Sequence, residues 1–355
     1  MRFLDTNILL RYFTKDDEAK AHKALVLLQR IERGEERVET SLSVIFETVF
    51  TLDNFYYEAI RPVATQAPGC YHEGKWWPPL GGRKMGLRKR WLGRTGLMVS
   101  EVGLGAMDTP QSPEGEETLR RALDLEINFI DTAREYQGSE YLIGQVVRAR
   151  EARGLCVATK TFSRNRDGAQ RDVDRSLGFL GVDRVTLYQL HDVSTLEHWE
   201  QVMRKEGALE GLQIARIRGL IDYIGISSHN LEVLERAITC GEFDTVMLEY
   251  SAFYPDTEPL IRLAAEWDVG VIAMRPLGGS GRMSAVRTRM SSGYSGNLQP
   301  SRLLPYVLSH PHLSVAIPGA RYPSRVEENV KTASEYQPLD EAQMRACETE
   351  AGQLY

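Results

Sequence analysis

The sequence predicts an α/β protein, mainly a (β/α)8 TIM barrel with an N-terminal β-hairpin plug, preceded by a small α/β fragment. Three observations predict it. Eight short, near-continuously apolar runs recur beyond Met85, as expected of strands buried on both faces. Stretches with apolar residues at three- and four-residue steps separate them, as in amphipathic helices. Eight such units in about 270 residues match the size of a closed parallel barrel.

In chain order, residues 1–57 read strand–helix–helix. Residues 58–84 are rich in Pro and Gly, carry the adjacent Trp76 and Trp77, and show no sustained period. That irregular linker exceeds the usual loop length inside a compact domain and marks a boundary, with the barrel over 85–355. KRWLGRTGLMVSE then predicts a hairpin with Gly93 or Gly96 in its turn, closing the barrel's N-terminal end. The strands are expected at 102–107, 127–131, 155–160, 184–190, 223–227, 245–250, 270–274 and 313–317. EETLRRALDLE, SEYLIGQVVRARE, LEVLERAIT and PLIRLAAEW supply helices between them. A doubly wound dinucleotide fold would need GxGxxG after an early strand, and GLGAM does not provide it. The Gly/Ser-rich stretch GGSGRMSAVRTRMSSGYSGN after the seventh strand is expected to be a loop over the site.

Composition narrows the function. A net charge of -6 disfavours general binding to nucleic acid or to a membrane surface, both anionic. Cys70, Cys156, Cys240 and Cys347 are far apart without CxxC spacing, which suits reduced thiols. No apolar run approaches the roughly 20 residues that span a bilayer, and MRFLDTNILLRYF lacks a small-residue cleavage site. A cytoplasmic location is the expectation.

Active sites of such barrels sit at the C-terminal strand ends. There the second strand ends in Asp131 with Tyr136 soon after, the third in Lys160, the fourth is followed by His191, and the fifth ends in Ser227, Ser228 and His229. Alone, an Asp-Thr pair commonly caps a helix, and a lone Lys or His is commonly solvated. Ionisable residues on successive strand tips each need a partner or water, and together they form a coherent acid–base set. A free Tyr has a pKa near 10. A nearby ammonium is expected to lower it, with Asp131 orienting Lys160. Tyr136 can then protonate a carbonyl oxygen while His191 positions the carbonyl. The hydride must come from a cofactor.

Residues 86–355 resemble the aldo-keto reductase family. The resemblance rests on RWLGRTGLMVSEVGLGAM, NFIDTAREYQGSEYLIGQVV, VATKTF, LYQLHD, IDYIGISSHN and VAIPGARYPSRVEENV, in the family's order. It implies a catalytic tetrad of Asp131, Tyr136, Lys160 and His191, and reversible reduction of aldehydes or ketones to alcohols. It also implies NADPH, with NADH as the alternative, lying extended over the barrel mouth. Cofactor contacts would fall on Gly105, Ala106, Met107, Asp131, Ser227, Ser228, Met274, Arg275 and Leu277. Those near the adenine-side phosphate would fall on Gly319, Arg321, Arg325, Glu328 and Asn329, where a helix opening near Ser324 suits an anion. Arg325, helped by Arg321, would favour a 2′-phosphate.

Some positions depart from the family pattern. Met274 stands where an aromatic residue often stacks on the nicotinamide, and a thioether can pack there. Arg275 is suited to a cofactor phosphate or, alternatively, a substrate carboxylate. Met247 replaces a common Gln, and Gly319 a common Lys.

MRFLDTNILLRYFTKDDEAKAHKALVLLQRIERGEERVETSLSVIFETVFTLDNFYY resembles the first half of a PIN-domain ribonuclease. Asp5 and Glu47 would be two of that family's metal-binding acids. The later strands and acids are absent, so a truncated remnant or a fusion is expected. A metal-dependent ribonuclease and a non-catalytic cofactor-binding barrel are the alternative functions.

Overall fold

The apolar runs form strands because alternate residues on each must face either a barrel interior or a layer of helices. The computed structural model describes residues 2–3, 38–39, 87–150, 154–291, 293–294 and 296–353. The chain divides into two compact units, Met1–Lys84 and Met85–Tyr355. In the first, β1 (Arg2–Phe3) pairs in parallel with β2 (Val38–Glu39). Asp5, Glu47, Met85 and the 58–84 segment with Trp76 and Trp77 lie outside the described residues, as does most of the PIN-like fragment.

The second unit opens with an antiparallel hairpin of β3 (Lys89–Trp91) and β4 (Met98–Ser100). The barrel strands are β5 (Leu104–Gly105), β6 (Phe129–Asp131), β7 (Cys156–Thr161), β8 (Val185–Leu190), β9 (Ile221–Ser227), β10 (Thr245–Glu249), β11 (Gly270–Met274) and β12 (Val315–Ile317). They pair in parallel in sequence order, and parallel bridges from Val102 to Ala316 and Gly105 to Gly319 close the ring. The expected (β/α)8 architecture is the observed one. β5 is shorter than the expected 102–107, because Ala106–Asp108 tightens into a 3-10 turn as the chain leaves the barrel.

Helices α1 (Pro113–Asp124), α2 (Ser139–Arg150) and α3 (Arg166–Leu180) follow β5, β6 and β7. α4 (Leu196–Met203) and α5 (Ala208–Ile217) follow β8; α6 (Leu231–Thr239) and α7 (Glu258–Glu266) follow β9 and β10. Their starts are written locally. Ser112 accepts a hydrogen bond from the Gly115 amide and Pro113 occupies the first turn of α1, both favourable at a helix N-terminus. After β11 the chain forms α8 (Gly279–Ser291) and α9 (Pro300–Leu308), and after β12 it forms α10 (Pro323–Glu335) and α11 (Glu341–Gly352). α8 corrects the expectation of a loop over that stretch. Gly278 and Gly279 take left-handed φ of 86° and 82° and turn the chain, and the helix-compatible run Arg282–Met290 then continues it.

The barrel interior is filled from below. Leu92 and Val99 of the hairpin join Phe129, Cys156, Ala158, Leu187, Met247, Ile272, Val315 and Ile317 in one buried cluster. Each inward strand position repeats every second residue, so continuing those rows upward brings Asp131, Lys160, His191, Glu249 and Met274 to the opposite end. A plugged floor and a polar crown thus come from one register.

Gly93 fixes the plug. It holds φ at 50°, and a Cβ there would meet the Gly270 amide nitrogen at 2.2 Å. Gly93→Ala is expected to cost at least about 1–3 kcal/mol through left-handed strain plus that clash, read as a lower denaturant midpoint at unchanged slope. An unchanged midpoint would show that the hairpin does not seat against β11.

Candidate functional site

At the crown, Asp131 ends β6 and Lys160 lies near the end of β7. The Lys160 ammonium sits 2.7 Å from both Asp131 carboxylate oxygens and donates to the Thr132 carbonyl at 2.8 Å. Lys160 is fully buried and Asp131 nearly so. Burial pushes the Asp131 carboxyl up and the Lys160 ammonium down, and each group opposes the other's shift through their attraction. Neither charge would persist there alone.

Tyr136 reaches the same place from the loop after β6. The Arg134 amide donates to the Lys160 carbonyl at 3.1 Å and the Tyr136 amide to the Ala133 carbonyl at 3.1 Å. Arg134 also pairs with Glu140, which accepts from the Thr159 hydroxyl at 2.6 Å. Thus the loop is tied to β7 on both sides of Tyr136. The Lys160 ammonium lies 5.1 Å from the Tyr136 ring centre, and the His191 ring packs edge-on against Tyr136 with centres 5.6 Å apart.

The expected lowering of the Tyr136 pKa is corrected by this geometry. Burial is the largest influence and raises the phenol, the charges of Asp131 and Glu135 raise it further, and Arg275 opposes them. The physical reason is that a buried phenolate loses its hydration and faces nearby carboxylates, both of which disfavour the charged form. Tyr136 therefore rests as the neutral phenol, the form that carries a proton to donate.

Two residues that sequence reasoning missed hold His191. Its Nδ1 is 3.1 Å from a Glu135 carboxylate oxygen, and its ring stacks on Phe162 at 4.1 Å with a 22° interplanar angle. The other Glu135 oxygen accepts from the Phe162 amide at 3.2 Å. Engaging Nδ1 leaves Nε2 as the imidazole atom available to a ligand. The signal for Glu135 was its place immediately before Tyr136; that for Phe162 was its place two residues after Lys160.

These groups line a cleft of about 1200 Å³, larger than the roughly 300–1,000 Å³ of a typical small-molecule pocket. Of the expected residues, Asp131, Tyr136, Lys160, His191 and Ser227 line it, as do Gly105, Met107, Met274, Arg275 and Leu277. Gly319, Arg321 and Arg325 line it as well. Ala106, Ser228, Glu328 and Asn329 are not in its wall. Ala106 and Ser228 are buried, and the Ser228 hydroxyl donates to the Val193 carbonyl at 2.7 Å. Asn329 is buried in α10. Glu328 accepts from Arg325 at 2.6 Å and lies 3.9 Å from Arg287, a cleft residue on α8 that sequence reasoning also missed. The first turn of α10 has no side-chain cap and no acidic residue, so its N–H groups favour an anion. Among the described residues no group of three or more His, Cys, Asp or Glu is placed to hold a metal ion, and no helix is long and apolar enough to cross a membrane.

Comparisons with known proteins agree with the barrel fold. The family model described as "Aldo/keto reductase family" matches residues 101–302. An uncharacterized oxidoreductase of Bacillus subtilis is 25% identical over 75% of this chain and 97% of its own length. L-galactose dehydrogenase of Arabidopsis thaliana is 29% identical, covering 74% of this chain and 93% of its own. The holo structure of an aldo-keto reductase from Bacillus halodurans superposes with a TM-score of 0.64 at 25% identity, covering 74% of this chain and 96% of that one.

The buried pair makes a stability prediction. Asp131→Asn, which strands the Lys160 charge, is expected to cost about 3–5 kcal/mol. The double change Asp131→Leu with Lys160→Met is expected to cost less than the sum of the single changes. Additive costs in denaturant titrations would show that the two groups are not coupled.

Proposed function

Since the chain belongs to the aldo/keto reductase family, we propose that the cleft reversibly reduces aldehydes or ketones to alcohols, with NADPH as the hydride source and Tyr136 as the general acid. The observation that carries this reading is the convergence of a buried Asp131–Lys160 pair, the Tyr136 ring and His191 on one wall of one cleft.

The residues present suit a nicotinamide dinucleotide. Met274 offers an apolar surface at the end of β11, beside the tetrad. Arg321, Arg325 and Arg287 also line the cleft, and Arg325 and Arg287 share the single carboxylate of Glu328. Burial first, then the charge of Arg325, lowers the Arg287 pKa. Two guanidinium groups on one carboxylate, beside an uncapped helix start, leave positive charge for a 2′-phosphate, which favours NADPH over NADH. When bound, the reduced nicotinamide supplies the hydride.

The chain's own residues handle the oxygen and its proton. Nε2 of His191, with the ring fixed by Glu135 and Phe162, orients the carbonyl oxygen toward Tyr136. As negative charge develops on that oxygen, the Tyr136 hydroxyl donates its proton. The Lys160 ammonium, held in place by Asp131, offsets the charge left on the phenolate. Alcohol oxidation reverses these steps and requires Tyr136 to start deprotonated, which its raised pKa disfavours.

Loss of nicotinamide absorbance with a panel of aldehydes tests the reading. Tyr136→Phe is expected to lower reduction by about 10²–10⁴-fold while NADPH still binds; retained turnover would reject Tyr136 as the acid. Arg325→Ala is expected to weaken NADPH about tenfold more than NADH, and equal losses would remove the 2′-phosphate role. The chemistry is assigned to Met85–Tyr355, so a chain starting at Met85 is expected to keep its activity. A soluble but inactive truncation would show that the first 84 residues contribute to the site.

A further inference from the structure

A second charged cluster stands at the cleft, outside the tetrad. Glu249 ends β10 on the same inward row as Met247, and its side chain is 8% exposed. Three cationic or basic side chains from three different segments meet it. Arg275, directly after β11, donates from Nη1 at 3.0 Å. Arg282 of α8 donates from Nη1 at 3.2 Å. Nδ1 of His229, from the loop after β9, lies 3.6 Å away. Burial pushes the Glu249 carboxyl up, but His229, Arg275 and Arg282 outweigh it and hold it below its ordinary value. The carboxylate is therefore charged. It is shared by the two permanently charged guanidinium groups of Arg275 and Arg282.

Arg275 is the member that presents its charge to the cleft. Its side chain is 54% exposed, and its charge is felt at the Tyr136 hydroxyl, lowering that phenol's pKa against the other influences. Its backbone is strained, with φ at 52°, in the left-handed region that a residue such as Gly occupies at no steric cost. A turn closed by the Gly278 amide donating to the Arg275 carbonyl at 2.7 Å holds it there. Strain of this kind persists where the surrounding structure over-determines a residue, often at ligand clamps. Other acids lining the cleft, such as Glu135 and Asp192, have partners of their own. Glu135 engages His191. Asp192 accepts from the Ser194 hydroxyl, and its backbone carbonyl accepts from Arg164 at 2.9 Å.

We propose that Arg275, braced by Glu249 and backed by Arg282, binds a carboxylate on the substrate, so the preferred substrates are carbonyl compounds that carry an acid group. The proposal rests on the reductase reading above and names the substrate class of that site. The planar guanidinium fork matches a carboxylate with two parallel hydrogen bonds. Arg275 and Tyr136 line the same cleft, so an acid group held by Arg275 shares that space with the carbonyl. In the reading above the 2′-phosphate meets Arg287, Arg321 and Arg325, and Arg275 is the guanidinium assigned to the second ligand.

The test compares matched substrates with the full-length protein and NADPH: 4-carboxybenzaldehyde against benzaldehyde and methyl 4-formylbenzoate, and 4-oxobutanoate against butanal. The wild type is expected to prefer the acid of each set by at least about tenfold in kcat/KM. Arg275→Gly, chosen because glycine accepts the left-handed backbone, is expected to bring that ratio near one. Arg275→Lys is expected to keep part of it. Turnover of the neutral aldehydes with no preference for the acids overturns the proposal and leaves the reductase reading standing. An unchanged ratio in Arg275→Gly, with weaker NADPH binding by fluorescence titration, overturns it by assigning Arg275 to the cofactor. No reduction of any of the five carbonyls overturns the reductase reading and this proposal together.

Discussion

The site is built around a buried pair of opposite charges. Asp131 and Lys160 face each other at 2.7 Å at the top of a barrel whose interior next to the hairpin holds a buried apolar cluster. Such a pair contributes little net stability against an apolar substitute. What it provides is a fixed point. The Arg134 amide and the Lys160 carbonyl tie the tyrosine loop to β7, and the ammonium is held at a set distance beneath the Tyr136 ring. The ring in turn meets His191, whose other contacts are Glu135 and Phe162. Each group is constrained by the one before it.

That order explains which parts of the site the sequence could show. Asp131, Lys160 and His191 sit on or beside barrel strands, where a two-residue period decides which side chains face inward and the apolar runs announce the strands. Their meeting follows from register alone. Glu135 lies on a loop, and no period says that its carboxylate turns toward a histidine 56 positions later. Glu249 ends a run that reads as ordinary strand, and its cationic partners come from segments after two other strands. Those contacts exist only once the ring closes.

Two expectations failed for the same reason: local composition cannot report a tertiary environment. The Gly/Ser-rich stretch after β11 looks like a loop, yet two left-handed glycines turn the chain and a helix follows. The tyrosine was expected to be made more acidic by a neighbouring ammonium, yet burial and three carboxylates have the opposite effect. In both cases the residue types were read correctly and their surroundings were not. The hairpin shows the reverse case. Gly93 and Gly96 both take left-handed φ, and the turn that the sequence marked is the one that seats against β11.

Cys156 lies in the apolar interior between the hairpin and the crown, 4% exposed, and burial there pushes its thiol well above the ordinary range. A sulfur in that place is neither ionised nor reachable, so oxidants and alkylating reagents pass it by in the native fold. Modification has to wait until the ring of strands comes apart. The rate at which this one atom reacts is then a clock for how often the whole barrel opens.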